Sequence, residues 1–200
     1  MADPAYIVDG VLTDGEAWVG IATTTLASDT ATITFTSTDD GQVGDWSQYM
    51  DLVVVIYGQC ANAAYNSNEV RVRLNNAATT EYFYQTLVGN GSTATAAGGS
   101  GSTMTWGEIP GANSGANNFG CVIANLFDIN SGKYKSILTQ SAGDRDGAGA
   151  ATVKAFTWKG EYSSTYGKPI TEIDIEQNYS EDYTAGSKFS LFGILPRMVA

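Results

Sequence analysis

The densest set of reactive groups is TEIDIE (171–176), where Glu172, Asp174 and Glu176 recur at every second residue. In a strand that spacing places three carboxylates on one face, opposite Thr171, Ile173 and Ile175. Carboxylates in such a row can act as a glycosidase pair or hold a hard cation. They also suit a solvated sheet face, and a catalytic acid needs a desolvated pocket to raise its pKa. The solvated face is the preferred reading. GDRDG (143–147) sets Asp144 and Asp146 beside glycines, loosely like a calcium loop. It lacks the closing glutamate of an EF-hand, and Arg145 neutralises part of the charge. No metal or other cofactor is expected.

The chain contains no histidine. Ser-His-Asp and Cys-His catalysis and most zinc sites are thereby removed. No Gly-Lys-Ser/Thr phosphate loop and no GxGxxG occur. Enzymatic activity is not expected. EYFYQ (81–85) alternates Tyr82 and Tyr84 with Phe83. Such rings can stack on sugars, but a sandwich core or a subunit interface is the preferred use.

The elements that would position these residues are strands. TATITFTS (30–37) alternates Ala31, Ile33 and Phe35 with threonines, and EVRVRLN (69–75) points Val70, Val72 and Leu74 inward and Arg71 and Arg73 outward. LVVVIYG (52–58) is a continuous run suited to a central strand buried on both faces. FGCVIANLFDI, YKSILTQ, TVKAFTW and KFSLFGIL continue the pattern. In the last, Phe189, Leu191 and Leu195 face one way and Phe192 and Ile194 the other, so both faces need cover. The fold class expected is all-β: an antiparallel β-sandwich or jelly roll of about nine or ten strands. In DWSQYMD (45–51), Asp45 is placed to cap one turn carrying Trp46, Tyr49 and Met50. GNGSTATAAGGSGST (89–103), GANSGANN (111–118) and SAGDRDGAGAA (141–151) read as loops. Cys121, in an apolar run, reads as a small buried hydrophobe, and no bridge to Cys60 is indicated.

Net charge is −11, and residues 1–70 hold ten acids with no lysine or arginine. Nucleic-acid binding, which is built from those bases, is not expected. No run of 18 apolar residues predicts a membrane span, and the start lacks the pattern of a signal peptide. One continuous domain over 1–200 is the expected organisation. Within it, 1–45 is an acidic segment with the first strands, able to act as an arm, and 46–200 is the sandwich.

The order of WSQY (46–49), VRVRLN, EYFYQTLVGNGS, CVIANLFDI, KYKSILTQSAG, VKAFTW, PITEIDIE and YTAGSKFSLFGI resembles a family of β-sandwich virion proteins from tailed bacteriophages of the marine-phage type. In that family an LN…Y…L segment, a YK strand and a terminal F.AGS.FSLYGI hairpin recur. Phe192 stands where the terminal motif usually has tyrosine. The resemblance spans about 46–194 and leaves 1–45 outside. It implies a structural role in the particle without catalysis, and the leading reading is a capsid decoration (cement) protein, synthesised in the bacterial cytoplasm and located on the capsid surface. The implied form is a homotrimer seated on the major capsid protein. A tail fibre, spike or adaptor, or a glycan-binding module, is the alternative. The family motif is a packing motif and transfers no functional residue. Arg71, Arg73, Phe192, Ile194 and Arg197 are the candidate interface residues.

Overall fold

The computed structural model describes residues 7–8, 11–12, 18–144, 149–160 and 167–195. Its strands begin with β1 (Ile7–Val8), β2 (Val11–Leu12), β3 (Trp18–Thr25), β4 (Thr32–Thr36), β5 (Asp51–Gly58), β6 (Ser67–Leu74) and β7 (Tyr82–Gly89). They continue with β8 (Ala94–Gly101), β9 (Met104–Pro110), β10 (Gly120–Phe127), β11 (Lys135–Asp144), β12 (Gly149–Trp158), β13 (Glu172–Gln177) and β14 (Lys188–Ile194). β1 and β2 pair with each other. The rest form an eight-stranded sheet, ordered β3-β14-β5-β10-β11-β12-β7-β8, and a four-stranded sheet, ordered β4-β13-β6-β9. Every strand pair is antiparallel. The chain is an all-β sandwich.

Alternation decides which side of each strand enters the core. Leu52, Val54 and Ile56 of β5 and Val122, Ala124 and Leu126 of β10 are sealed from solvent. From the small sheet, Val70, Val72 and Leu74 of β6 and Ile173 and Ile175 of β13 join them in one hydrophobic cluster. Each such aliphatic side chain contributes about 1.5–3 kcal/mol by leaving water. The predicted turn is present as a 3-10 turn over Trp46–Gln48. Asp45 accepts the Ser47 N–H at 2.9 Å and the Gly41 N–H at 2.9 Å. Asn130 Nδ2 donates to the carbonyls of Trp46 and Tyr49, each at 2.9 Å. Trp46 and Tyr49 are thereby held in the core. Gly193 is required here: a Cβ on it would stand 2.4 Å from two carbons of the Tyr49 ring.

YTAGS (183–187) is a stitched turn that delivers β14 into the sheet. Tyr183 is fully buried and meets Phe189 edge-on, with centroids 4.9 Å apart. Gly186, at φ 89, donates its N–H to the Leu26 carbonyl, and Leu26 N–H returns to Ser187 O. Asp29 accepts the Ala185 N–H at 2.9 Å. β14 then inserts between β3 and β5.

Four expectations need correction. Residues 94–101, read as loop, form β8, because β7 offers a full ladder of partners to a sequence with little strand preference of its own. Much of 141–151 likewise extends β11 and β12, and β1, β2, β8 and β9 raise the strand count above nine or ten. Cys121 is exposed, whereas Cys60 is buried, and both are free thiols. Cys121 falls on the outward parity of β10, beside the inward Val122. β5 is not buried on both faces throughout: Val53 is, but Val55 is half-buried and Tyr57 is 49% exposed. Within the segment expected to be able to act as an arm, β3 pairs with β14 and β4 with β13.

Candidate functional site: two unlike outer faces

The outer face of the four-stranded sheet collects the charged candidates. β13 turns Glu172, Asp174 and Glu176 outward, each half-buried, between β4 and β6. Arg73 of β6 reaches Glu176 with its guanidinium nitrogen 2.8 Å from Oε1. Thr34 Oγ1 donates to Asp174 at 2.6 Å. Arg71 lies farther from its neighbour, 3.9 Å from Glu69 Oε2, and Asn178 Nδ2 also donates to that carboxylate. At the far edge Ser67 donates to Glu108. Arg73 and Arg71 stand opposite Asp174 and Glu176 in the β6–β13 register, as cross-strand pairing favours, whereas Glu69 stands opposite Glu108, so acids outnumber bases on this face.

Glu172 stands at one end of this face. Its carboxyl is raised above the ordinary value, first by burial and then by the neighbouring Asp174 charge. A hollow of about 380 Å³ opens beside it, lined by Asn75, Lys168, Pro169 and Thr171. Asn75 Oδ1 accepts the backbone N–H groups of Thr171 and Glu172, which fixes the loop onto β13. Among the described residues, no three of His, Cys, Asp or Glu gather closely enough to hold a metal ion. Asp144 closes β11, while Asp146 and Arg145 lie outside the described residues.

The outer face of the eight-stranded sheet has the opposite character. Trp18, Tyr57, Leu87, Ile123, Leu138 and Val153 are all at least 36% exposed on it. The candidates Phe192 and Ile194 are half-buried there, with the Phe192 ring 6.1 Å from that of Trp18. Arg197 lies outside the described residues. The structure therefore separates the predicted interface set, with Arg71 and Arg73 on one outer face and Phe192 and Ile194 on the other. Toward β7, Phe83 and Phe127 rim a hollow of about 450 Å³ floored by Ser136, Ala155 and Thr157, with Gln85 at its edge. Lys159 sits over the Phe83 ring, 4.3 Å from its centroid. Tyr82, by contrast, is buried and holds the β6–β7 connection, accepting the Leu74 N–H at 3.0 Å.

Sequence reasoning missed the breadth of this face. The signal was present in the two-sided apolar runs of β5 and β14, which need cover on both sides, and in the apolar run of β10. No family model matches the chain, and no curated protein matches it. Among solved structures, the CBM40 of a Ruminococcus gnavus IT-sialidase bound to alpha2,3 sialyllactose aligns at 7% identity and a TM-score of 0.24. That alignment covers 91% of this chain and 95% of the other. A leech intramolecular trans-sialidase aligns at 9% identity and a TM-score of 0.20, covering 76% of this chain and 26% of its own. Likenesses at these scores carry no argument about fold or function.

Proposed function

We propose that the chain is a non-catalytic virion protein that decorates a phage head, bridging neighbouring major capsid subunits from the capsid surface. The observation that supports the reading is the broad apolar outer face of the eight-stranded sheet. A chain with net charge −11 has acids enough to cover itself, yet it presents large apolar side chains side by side on this sheet. Apolar surface of that extent marks a place where another macromolecule docks. The charged face on the opposite side offers a second, polar surface. Two unlike faces on opposite sides of one rigid sandwich suit a connector. The phage context comes from the sequence resemblance.

The test is the copy number and position of the chain on purified particles of its source, by quantitative mass spectrometry and gold labelling. Hundreds of copies spread over the head are expected. A count in the low tens at one vertex would move the chain to the tail, and absence from particles would end the reading. Charge reversal at Arg71 and Arg73 is expected to lower occupancy; undiminished occupancy would remove that face from the contact.

A second reading draws on the Phe83–Phe127 hollow. Two exposed rings over a floor of small residues, Ser136, Ala155 and Thr157, suit the apolar face of a sugar ring, with Gln85 available to its hydroxyls. Glycan-array binding abolished by Phe83→Ala or Phe127→Ala would favour it, and no binding to any glycan would remove it.

A further inference from the structure

The geometry points to the outer face of the eight-stranded sheet as a self-association surface, on which a second copy of this chain packs face to face about a two-fold axis. The inference deepens the assembly reading and rests on it for its purpose. Strand register ties the outward residues into four rows across the sheet. One row passes from Ser190 through Val55, Ile123, Gln140 and Val153 to Leu87. Across all four rows charge enters at Asp51 of β5 and Lys188 of β14. Asp144 and Lys159 stand beyond the outermost rows.

The size of the face fits the purpose. Eight strands about 4.8 Å apart, each about seven residues of 3.3 Å, outline roughly 900 Å². A stable specific interface removes about 800 Å² from each partner. Toward β8 the outward residues are small, Ala94, Ala96 and Gly98, so that end has low relief. Two sheets can then approach to the roughly 10 Å spacing of a packed sandwich.

Charge selects the occupant. Two copies at net charge −11 repel each other, and the repulsion is least on this face, where Asp51 is the one acid within the four rows and Lys188 offsets it. Asp51 and Lys188 sit at opposite ends of neighbouring strands. A two-fold axis running across the strands reverses the rows, laying the row of Asp51 over the row of Lys188. Each pair of opposite charges then forms twice, as an isologous contact requires. This is a two-fold arrangement, in place of the three-fold one that the resemblance implies.

Cys121 provides a native reporter, because it is exposed and lies in the same outward row as Tyr57. The experiment is sedimentation equilibrium of the full chain, with the rate of Cys121 alkylation by a maleimide followed over the same concentrations. A monomer–dimer equilibrium is expected, with alkylation slowing at least ~10-fold as the dimer fills. Ile123→Lys and Leu87→Lys, at positions 39% and 61% exposed, should each weaken the dimer ~100-fold while leaving the circular dichroism unchanged. Lys188→Glu should weaken it about tenfold, less so at high salt. Thr105→Lys, on the opposite outer face, should have no effect. A chain that stays monomeric to ~100 µM with constant alkylation would overturn the inference. So would a dimer indifferent to both lysine substitutions, or a trimer. Because the assay uses the chain alone, a positive result stands even if the particles lack the protein, and head occupancy stands even if the chain is monomeric.

Discussion

Replacing Gly193 by alanine isolates the contact that locks β14 to the Trp46 turn. The added Cβ would meet Cγ and Cδ1 of Tyr49 at 2.4 Å and Cε1 at 2.6 Å. Carbon atoms settle at about 3.5–4.0 Å, so more than an ångström must be recovered. The ring has little room to yield. It is buried, its hydroxyl donates to Val43 O at 2.8 Å, and its backbone N–H is bonded to Trp46 O. Overpacking of this kind costs about 1–3 kcal/mol. Alanine in place of glycine in a strand would otherwise gain about 0.5–1 kcal/mol. With Tyr49→Ala already present, the obstacle is gone and Gly193→Ala should be neutral or stabilising. The coupling between the two sites is therefore about 1–4 kcal/mol. Urea unfolding of the four proteins, followed by tryptophan fluorescence, measures it. In the parent chain Gly193→Ala should lower Tm by roughly 4–8 °C. An equal cost in both backgrounds would refute the argument, because it would place the role of Gly193 in its backbone and not under the ring.

Three further outcomes follow from local chemistry. Asp45→Ala removes both hydrogen bonds that cap the Trp46 turn and should cost about 1–2 kcal/mol in urea unfolding. Hydrogen bonds from Ser47, then Gly41, hold the Asp45 carboxyl below its ordinary value. Its stabilisation is thus present above about pH 3.8 and lost as pH falls through the folded pKa, and Asp45→Asn should flatten that loss. In native protein too dilute to self-associate, one thiol, Cys121, should react quickly with Ellman's reagent, and Cys60 only on unfolding; fast reaction of both would contradict the burial of Cys60. Burial raises the hydroxyls of Tyr82 and Tyr183 well above pH 10, so above that pH the unfolded chain releases protons the folded chain keeps. Stability should fall as pH rises past 10, and Tyr183→Phe should make the fall shallower in alkaline denaturation curves.

The strands with one polar and one apolar side were legible residue by residue. β4, β6 and β13 bury the residues that alternation selects, and the Asp45 cap follows from its position before Trp46. Two kinds of information were missing. β8 is made of alanine, glycine, serine and threonine, which prefer no strand; its conformation comes from the edge of β7, a long-range partner. In β5, β10 and β14 both sides are apolar, so the period of two marks a strand without choosing its inner face. That ambiguity put Cys121 inside and concealed the open face. The acids of TEIDIE were correctly given to a polar sheet face, whereas the ion pair of Arg73 is diagonal: the β6–β13 register sets it opposite Asp174, and its long side chain reaches Glu176.

The insertion of β14 between β3 and β5 also sets a timetable. β3 and β5 lie early in the chain but do not touch as neighbours; each waits for a strand more than a hundred residues later. During synthesis the large sheet therefore remains split, with two unpaired edges, until residues 188–194 have left the ribosome. Closing such long loops carries an entropic cost before any contact rewards it. Closure of the large sheet should thus be gated by β14. A chain cut short before Lys188 cannot complete the large sheet, because both β3 and β5 then lack the strand between them.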